Sequence, residues 1–187
     1  MKKIFLVSSL IGALLVSSSE ARAQELSIDL HGAVALVNYS NLTVSGGMGS
    51  NFGSHPVFFF HKSLGFFTGF DYITRPMTLN DASSTKWLEI PVGLAFRGSP
   101  ESSYFTGLGL SYGMPLSNFK DSSAAYETNG GLSLLLVTNR YYEIDPSFSL
   151  GIYTDIRYSF HSPFADADLA AGRIFSFDIG LGARFNL

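Results

Sequence analysis

The sequence predicts an all-β fold, an eight-stranded antiparallel up-and-down transmembrane β-barrel, on three observations. Apolar and non-apolar residues alternate with period two over long stretches, most clearly at the C-terminus. The non-apolar parity gathers acids and arginines, whereas the apolar parity carries Tyr or Phe near its ends. A secretory leader precedes all of these stretches. A strand sends successive side chains to opposite faces, so period two means one apolar and one polar face. A helix, with its 3.6-residue turn, does not divide a sequence in this way.

Residues 1–23 read as a signal peptide and 24–187 as one barrel domain. Lys2 and Lys3 give a positive start, Ile4 to Val16 an apolar stretch and Ala21-Arg22-Ala23 a small-residue cleavage site. The apolar stretch is shorter than the roughly 20 residues a spanning helix needs. The mature chain is then expected to begin at Gln24. Removing Lys2, Lys3, Glu20 and Arg22 takes the net charge from −3 to −5. A mildly acidic chain without a basic patch argues against nucleic-acid binding. Of the residues, 46% are hydrophobic and only 14% charged, yet past the leader the apolar residues are dispersed, which disfavours helical spans. The absence of cysteine excludes disulfides, thiolate metal sites and a lipid-modified N-terminal cysteine. Seventeen Phe, nine Tyr and nineteen Gly suit interface girdles and closely packed, bending strands.

Taken along the chain, Leu26, Ile28, Leu30, Val34 and Leu36 oppose Ser27, Asp29, His31, Ala33 and Ala35. The segments 54–60 and 65–75 are read as two strands joined by a turn at His61-Lys62-Ser63-Leu64-Gly65, although Phe58-Phe59-Phe60 and Phe66-Phe67 break the alternation. Leu88, Ile90, Val92, Leu94 and Phe96 oppose Glu89, Pro91, Gly93, Ala95 and Arg97. Tyr104, Thr106, Leu108, Leu110, Tyr112 and Met114 oppose Gly107, Gly109, Ser111 and Gly113. Leu132, Leu134 and Leu136 mark a further strand. Phe148, Leu150, Ile152, Ile156 and Tyr158 oppose Ser149, Gly151, Tyr153, Asp155 and Arg157. In the last strand, within Arg173 to Leu187, Phe175, Phe177, Ile179, Leu181, Ala183, Phe185 and Leu187 oppose Ser176, Asp178, Gly180, Gly182, Arg184 and Asn186.

Parity alone permits either solvent, and other features choose between them. Asp29, Asp71, Glu89, Asp155 and Asp178 share one face with Arg75, Arg97, Arg157 and Arg184. In a soluble sandwich or lipocalin-like barrel that ionic face would be outside. With the leader, the aromatic ends and small inward residues, the expected arrangement is apolar side to lipid and charges inside. The connections are read as alternating between longer outer loops and shorter periplasmic turns. The longer ones are Asn38–Gly53, Met77–Thr85, Ser117–Thr128 and Phe160–Gly172; the shorter are His61–Gly65, Gly98–Ser102 and Asn139–Tyr142.

The segment Trp87-Leu88-Glu89-Ile90-Pro91-Val92-Gly93-Leu94-Ala95-Phe96-Arg97, followed by Tyr104-Phe105-Thr106-Gly107-Leu108-Gly109-Leu110, resembles bacterial outer-membrane β-barrel domains of the PorT-like and OmpA/OmpX-like type. In those domains a Glu-Ile-Pro strand enters a short turn and a Tyr-x-Gly-x-Gly strand follows. The ending Gly180-Leu181-Gly182-Ala183-Arg184-Phe185-Asn186-Leu187 is similar to the C-terminal signal read by the barrel assembly machinery. It differs from that signal in its final Leu, where Phe is usual, and in Gly180. The resemblance implies outer-membrane localisation, with outer-membrane lipid and the assembly machinery as partners.

An eight-stranded barrel is just wide enough for its own side chains, so no open pore is expected, and the inward acids and arginines are expected to form ion pairs. The sequence assigns no catalytic, cofactor-binding or metal site and no cofactor. His161-Ser162 near Asp166 and Asp168 invites a Ser/His hydrolase reading, but adjacency on a loop does not supply a base within reach and a group to orient it. His31, His55 and His61 are scattered, without a spacing that brings them to one metal. Asp166-Ala167-Asp168 lacks the remaining ligands of a calcium loop. Gly46-Gly47-Met48-Gly49 reads as flexible loop. The expectation is a monomeric envelope protein with a structural, envelope-maintaining or surface-contact role. The alternatives are a narrow solute channel, a lipid-modifying barrel enzyme and a soluble lipocalin-like periplasmic binder.

Overall fold

The computed structural model describes residues 25–40, 45–78, 82–99, 103–120, 125–163 and 172–187. The expected leader, its cleavage site, and Asp166 and Asp168 lie outside these residues.

The described chain consists of strands: β1 (Glu25–Tyr39), β2 (Gly47–Phe59), β3 (Leu64–Thr68), β4 (Phe70–Thr78), β5 (Ala82–Phe96), β6 (Tyr104–Pro115), β7 (Phe119–Lys120), β8 (Ala125–Tyr126), β9 (Gly131–Asp145), β10 (Phe148–Ser159) and β11 (Ile174–Asn186). Every pairing is antiparallel, and β1 pairs with β11 on one side and β2 on the other, so the sheet closes on itself. Closure leaves no free edge. The β7–β8 pair is a separate short hairpin.

β3 and β4 are two halves of one stave, which makes eight staves in the ring. The register against β2 is the same on both halves, Val57↔Phe67 and Ser54↔Phe70. Against β5 it runs from Thr68↔Val92 to Asp71↔Glu89, which sets Pro91 opposite Gly69. Proline has no N–H to give to a ladder. The stave breaks where that donor is missing, and Gly69 bridges the break at φ 152°, a conformation that favours glycine. A Cβ there would lie 2.0 Å from the Ser54 carbonyl oxygen. Because no residue is inserted, the inward parity continues from Gly65 and Phe67 to Asp71 and Ile73. The Phe doublets that obscure the pattern are therefore ordinary alternation with aromatics on both faces.

The predicted parity holds around the ring. Leu30, Leu94, Leu108, Leu134, Ile152 and Leu181 are exposed, while Asp29, Asp71, Glu89, Asp155, Asp178, Arg75, Arg97, Arg157 and Arg184 are buried. Exposed Phe96, Tyr104, Tyr142 and Phe185 ring the end carrying residues 60–63 and 146–147; exposed Tyr112, Tyr158, Phe160 and Phe175 ring the other.

Three expectations are corrected. Asn139–Tyr142 is not a turn: β9 runs on to Asp145 and turns at Pro146-Ser147, where the Asp145 carboxylate accepts from the Ser147 backbone N–H at 2.8 Å. Inward Asn139 and Tyr141 reach their partners in the lumen and keep the strand regular through that region. Gly47-Met48-Gly49 is the start of β2 rather than loop, since β1 ladders it from Val37↔Gly47. Met77–Thr85 is not a long outer loop, since Met77 pairs with Ser83 and Arg75 with Thr85, leaving only residues 79–81 between β4 and β5.

Candidate functional site

The site is the lumen, and its arrangement follows from register. His31 on β1 faces Gly53 on β2, Gly53 faces Asp71 on β4, and Asp71 faces Glu89 on β5. These inward residues form one row across four staves. Gly53 leaves a notch in the row: a Cβ on it would lie 2.0 Å from Asp71 Oδ1 and 2.7 Å from His31 Cε1. His55, two residues along β2 on the same face, enters the same notch.

Arg157 on β10 reaches across from the opposite wall. Its Nη2 donates to Asp71 Oδ2 at 2.9 Å and Asp155 Oδ2 at 2.6 Å, and its Nη1 donates to Glu89 Oε2 at 2.7 Å. Arg75 pairs with Glu89 Oε1, and the Ser111 hydroxyl donates to Glu89 Oε2 at 2.9 Å. The Tyr153 hydroxyl donates to Asp155 Oδ2 at 2.5 Å, and the Asn51 amide donates to Asp178 Oδ2 at 2.8 Å. Asp71 Oδ1 faces His55 Nε2 at 2.9 Å and His31 Nε2 at 3.0 Å. The His31 ring is stacked on Tyr153, with centroids 3.8 Å apart and planes within 1°. Toward the 60–63 end, Arg184 forks onto Asp29 at 2.8 and 3.0 Å, and Arg97 pairs with Glu25 at 2.7 Å while lying 3.9 Å over the Phe59 ring.

These charges are held in place because a buried ion is tolerated only with excellent geometry and further hydrogen bonds. The packing is equally dense. Trp87, Arg157, Tyr153, Phe59, Phe67 and Phe105 are among the largest side chains with no appreciable exposure.

The expected interior pairing is observed for Asp29, Asp71, Glu89 and Asp155 with Arg75, Arg157 and Arg184, whereas Asp178 accepts from the Asn51 amide and Arg97 pairs with Glu25. What the sequence reading missed is the meeting of His31 and His55 at Asp71; His61 stays apart in the turn at 61–63. The signal was present in parity, since all three residues point inward, but their convergence needed the register of three staves. The His161-Ser162 pair sits at the other end. There the His161 Nδ1–H donates to the Leu132 carbonyl at 3.2 Å, and burial holds the imidazole pKa below its ordinary value. A backbone carbonyl, not a carboxylate, occupies the position that would orient a catalytic base.

No family model matches the sequence, and no curated protein matches it. Solved structures do. Neisserial surface protein A superposes with a TM-score of 0.60 at 14% identity, over 86% of this chain and 96% of that one. The other two comparisons are equally extensive. OprG of Pseudomonas aeruginosa gives 0.54 at 12% identity over 87% and 97%, and Ail of Yersinia pestis 0.53 at 18% over 87% and 99%. This is the fold of the small bacterial outer-membrane β-barrels. With an apolar exterior, a charged lumen and that fold, the barrel belongs to the outer membrane.

Proposed function

We propose that the barrel is a closed, monomeric envelope protein with a structural, envelope-maintaining or surface-contact role, and that it neither conducts solutes nor turns over a substrate. The carrying observation is the lumen, in which Arg157 ties three carboxylates together and buried aromatics fill the remaining space. A ring closed by β1 and β11 supports the monomer, since no strand edge is left to pair. Lipid is the partner of its apolar exterior, and the barrel assembly machinery, reading Gly180 to Leu187, is the partner during insertion.

Contact with other surfaces belongs to the end opposite residues 60–63. The loop after β6 carries the β7–β8 hairpin, and its base is tied down: the Leu116 N–H donates to the Lys86 carbonyl at 2.7 Å and the Asn129 N–H to the Pro163 carbonyl at 2.9 Å. Ail, the attachment invasion locus protein, was solved in complex with the heparin analogue sucrose octasulfate. A net charge of −3 gives this chain little attraction for a polyanion, so a contact of another chemistry is the better reading here.

Planar-bilayer recording tests the proposal. Purified, folded protein is expected to give no reproducible unitary conductance, and discrete, concentration-dependent steps would replace the closed reading with that of a narrow channel. Altered lipid A in cells expressing the protein, lost in His161→Ala, would replace it with an enzyme.

A further inference from the structure

We propose that His31, His55 and Asp71 hold a divalent transition-metal ion, Zn²⁺ in the first instance, as a structural staple inside the lumen. Each of the three offers one ligand atom, and these atoms all lie within 4.8 Å of one another. All three side chains are completely buried. Two imidazoles and one carboxylate are a donor set that suits zinc.

Four independent features point to a cation rather than to packing alone. The first is spacing. Ligand atoms about 2.0–2.1 Å from a tetrahedral zinc stand about 3.3 Å apart; one Asp71 oxygen lies 2.9 and 3.0 Å from the two imidazole nitrogens, and in the metal-free chain the His55 contact is a hydrogen bond that an ion would replace. The second is orientation. His31 Nε2 is 3.0 Å from Asp71 Oδ1 but out of line for a regular hydrogen bond to it, and the His31 ring lies stacked on Tyr153. Buried polar atoms are rarely left so.

The third is charge. Among the described lumen residues, six carboxylates, on Glu25, Asp29, Asp71, Glu89, Asp155 and Asp178, face four guanidiniums, on Arg75, Arg97, Arg157 and Arg184. The carboxylates outnumber the guanidiniums, leaving a net negative lumen that a cation beside Asp71 would offset. Protonating both histidines would do the same, but their ring centroids are 4.7 Å apart and two imidazolium charges would repel there. The fourth is the notch at Gly53, where any side chain would fill the space in which ligands meet. Arg157 Nη2, on the other oxygen of Asp71, acts as an outer-shell donor orienting a ligating carboxylate. With no exposure at the cluster, the ion enters as the barrel folds.

The experiment refolds the mature chain from urea into detergent with EDTA or with Zn²⁺, removes excess metal and measures bound metal by mass spectrometry. Co²⁺ replaces Zn²⁺ in a parallel sample to read coordination from its visible d–d absorption. One metal per chain is expected, with the bands of a site of two nitrogen ligands and a carboxylate oxygen, completed by one water. Retention should fall at least about tenfold in His31→Phe and His55→Phe and stay unchanged in His61→Ala. Heat-modifiable gel mobility confirms that the variants are folded. If they are not, the cobalt spectrum of the unaltered chain decides alone. Substoichiometric metal in the unaltered chain, or equal retention in folded His55→Phe, overturns the proposal. So does stability that follows pH but not metal, because the histidines would then carry protons.

Discussion

Replacing Arg157 by Met should be among the most damaging single changes in this barrel. The guanidinium is 1% exposed and lies 2.6, 2.9 and 2.7 Å from Asp155, Asp71 and Glu89. Without it Glu89 keeps Arg75 and Ser111, and Asp155 keeps the Tyr153 hydroxyl, so neither is wholly abandoned. Asp71 is left with the two histidines. Breaking a buried pair while its partner stays charged costs about 3–5 kcal/mol, and three partners lose the same cation at once. The upper part of that range is therefore expected. Trp87, the one tryptophan of the chain and fully buried, provides the fluorescence signal for urea unfolding in lipid vesicles. A second substitution tests the cause: Asp155→Asn in the Arg157→Met background should recover about 1–3 kcal/mol, the coupling typical of directly interacting residues. A loss below about 1 kcal/mol for Arg157→Met, or no recovery in the double variant, would refute the network as the organiser of the lumen.

Other predictions follow the same geometry. Leu181 is 74% exposed and stands beside Gly32 and Ile152, in the middle of their strands. Leu181→Arg should cost about 2–4 kcal/mol by the same vesicle titration, and a variant that unfolds like the parent would mean the lipid-facing parity is assigned backwards. Gly69→Ala places a methyl group 2.0 Å from the Ser54 oxygen at a φ of 152°. It should cost at least about 1–3 kcal/mol, read as a lower urea midpoint, and an unchanged midpoint would show that the stave break is not strained. For Asp29 and Arg184, a double-mutant cycle of Asp29→Asn and Arg184→Met should return a coupling of about 0.5–3 kcal/mol. Strict additivity there would mean the fork is not an interacting pair.

What is legible in the sequence, and what is not, divides along a physical line. Side-chain alternation is local and covalent, so residues such as Asp178 and Arg184 against Ile179 and Leu181 declare their faces from chain order alone. The same local rule locates most of the staves and the turn at 61–63. It fails where the cue is not local. Strand β9 passes through Asn139 without turning because its inward side chains find partners in the lumen, and β2 begins at Gly47 because β1 is there to pair with it.

Chain pattern by itself determined the strands and their two faces, one apolar and one ionic, and the leader and aromatic ends turned the apolar face toward lipid. Tertiary structure alone decided which charges meet. Register across β1, β2 and β4 brings His31, Gly53 and Asp71 into one row, and ring closure sets Arg157 opposite them. Those contacts join residues far apart in sequence through hydrogen-bonded neighbours that no one-dimensional period encodes. The lumen's chemistry is therefore a property of closure, whereas its polarity is a property of the strand.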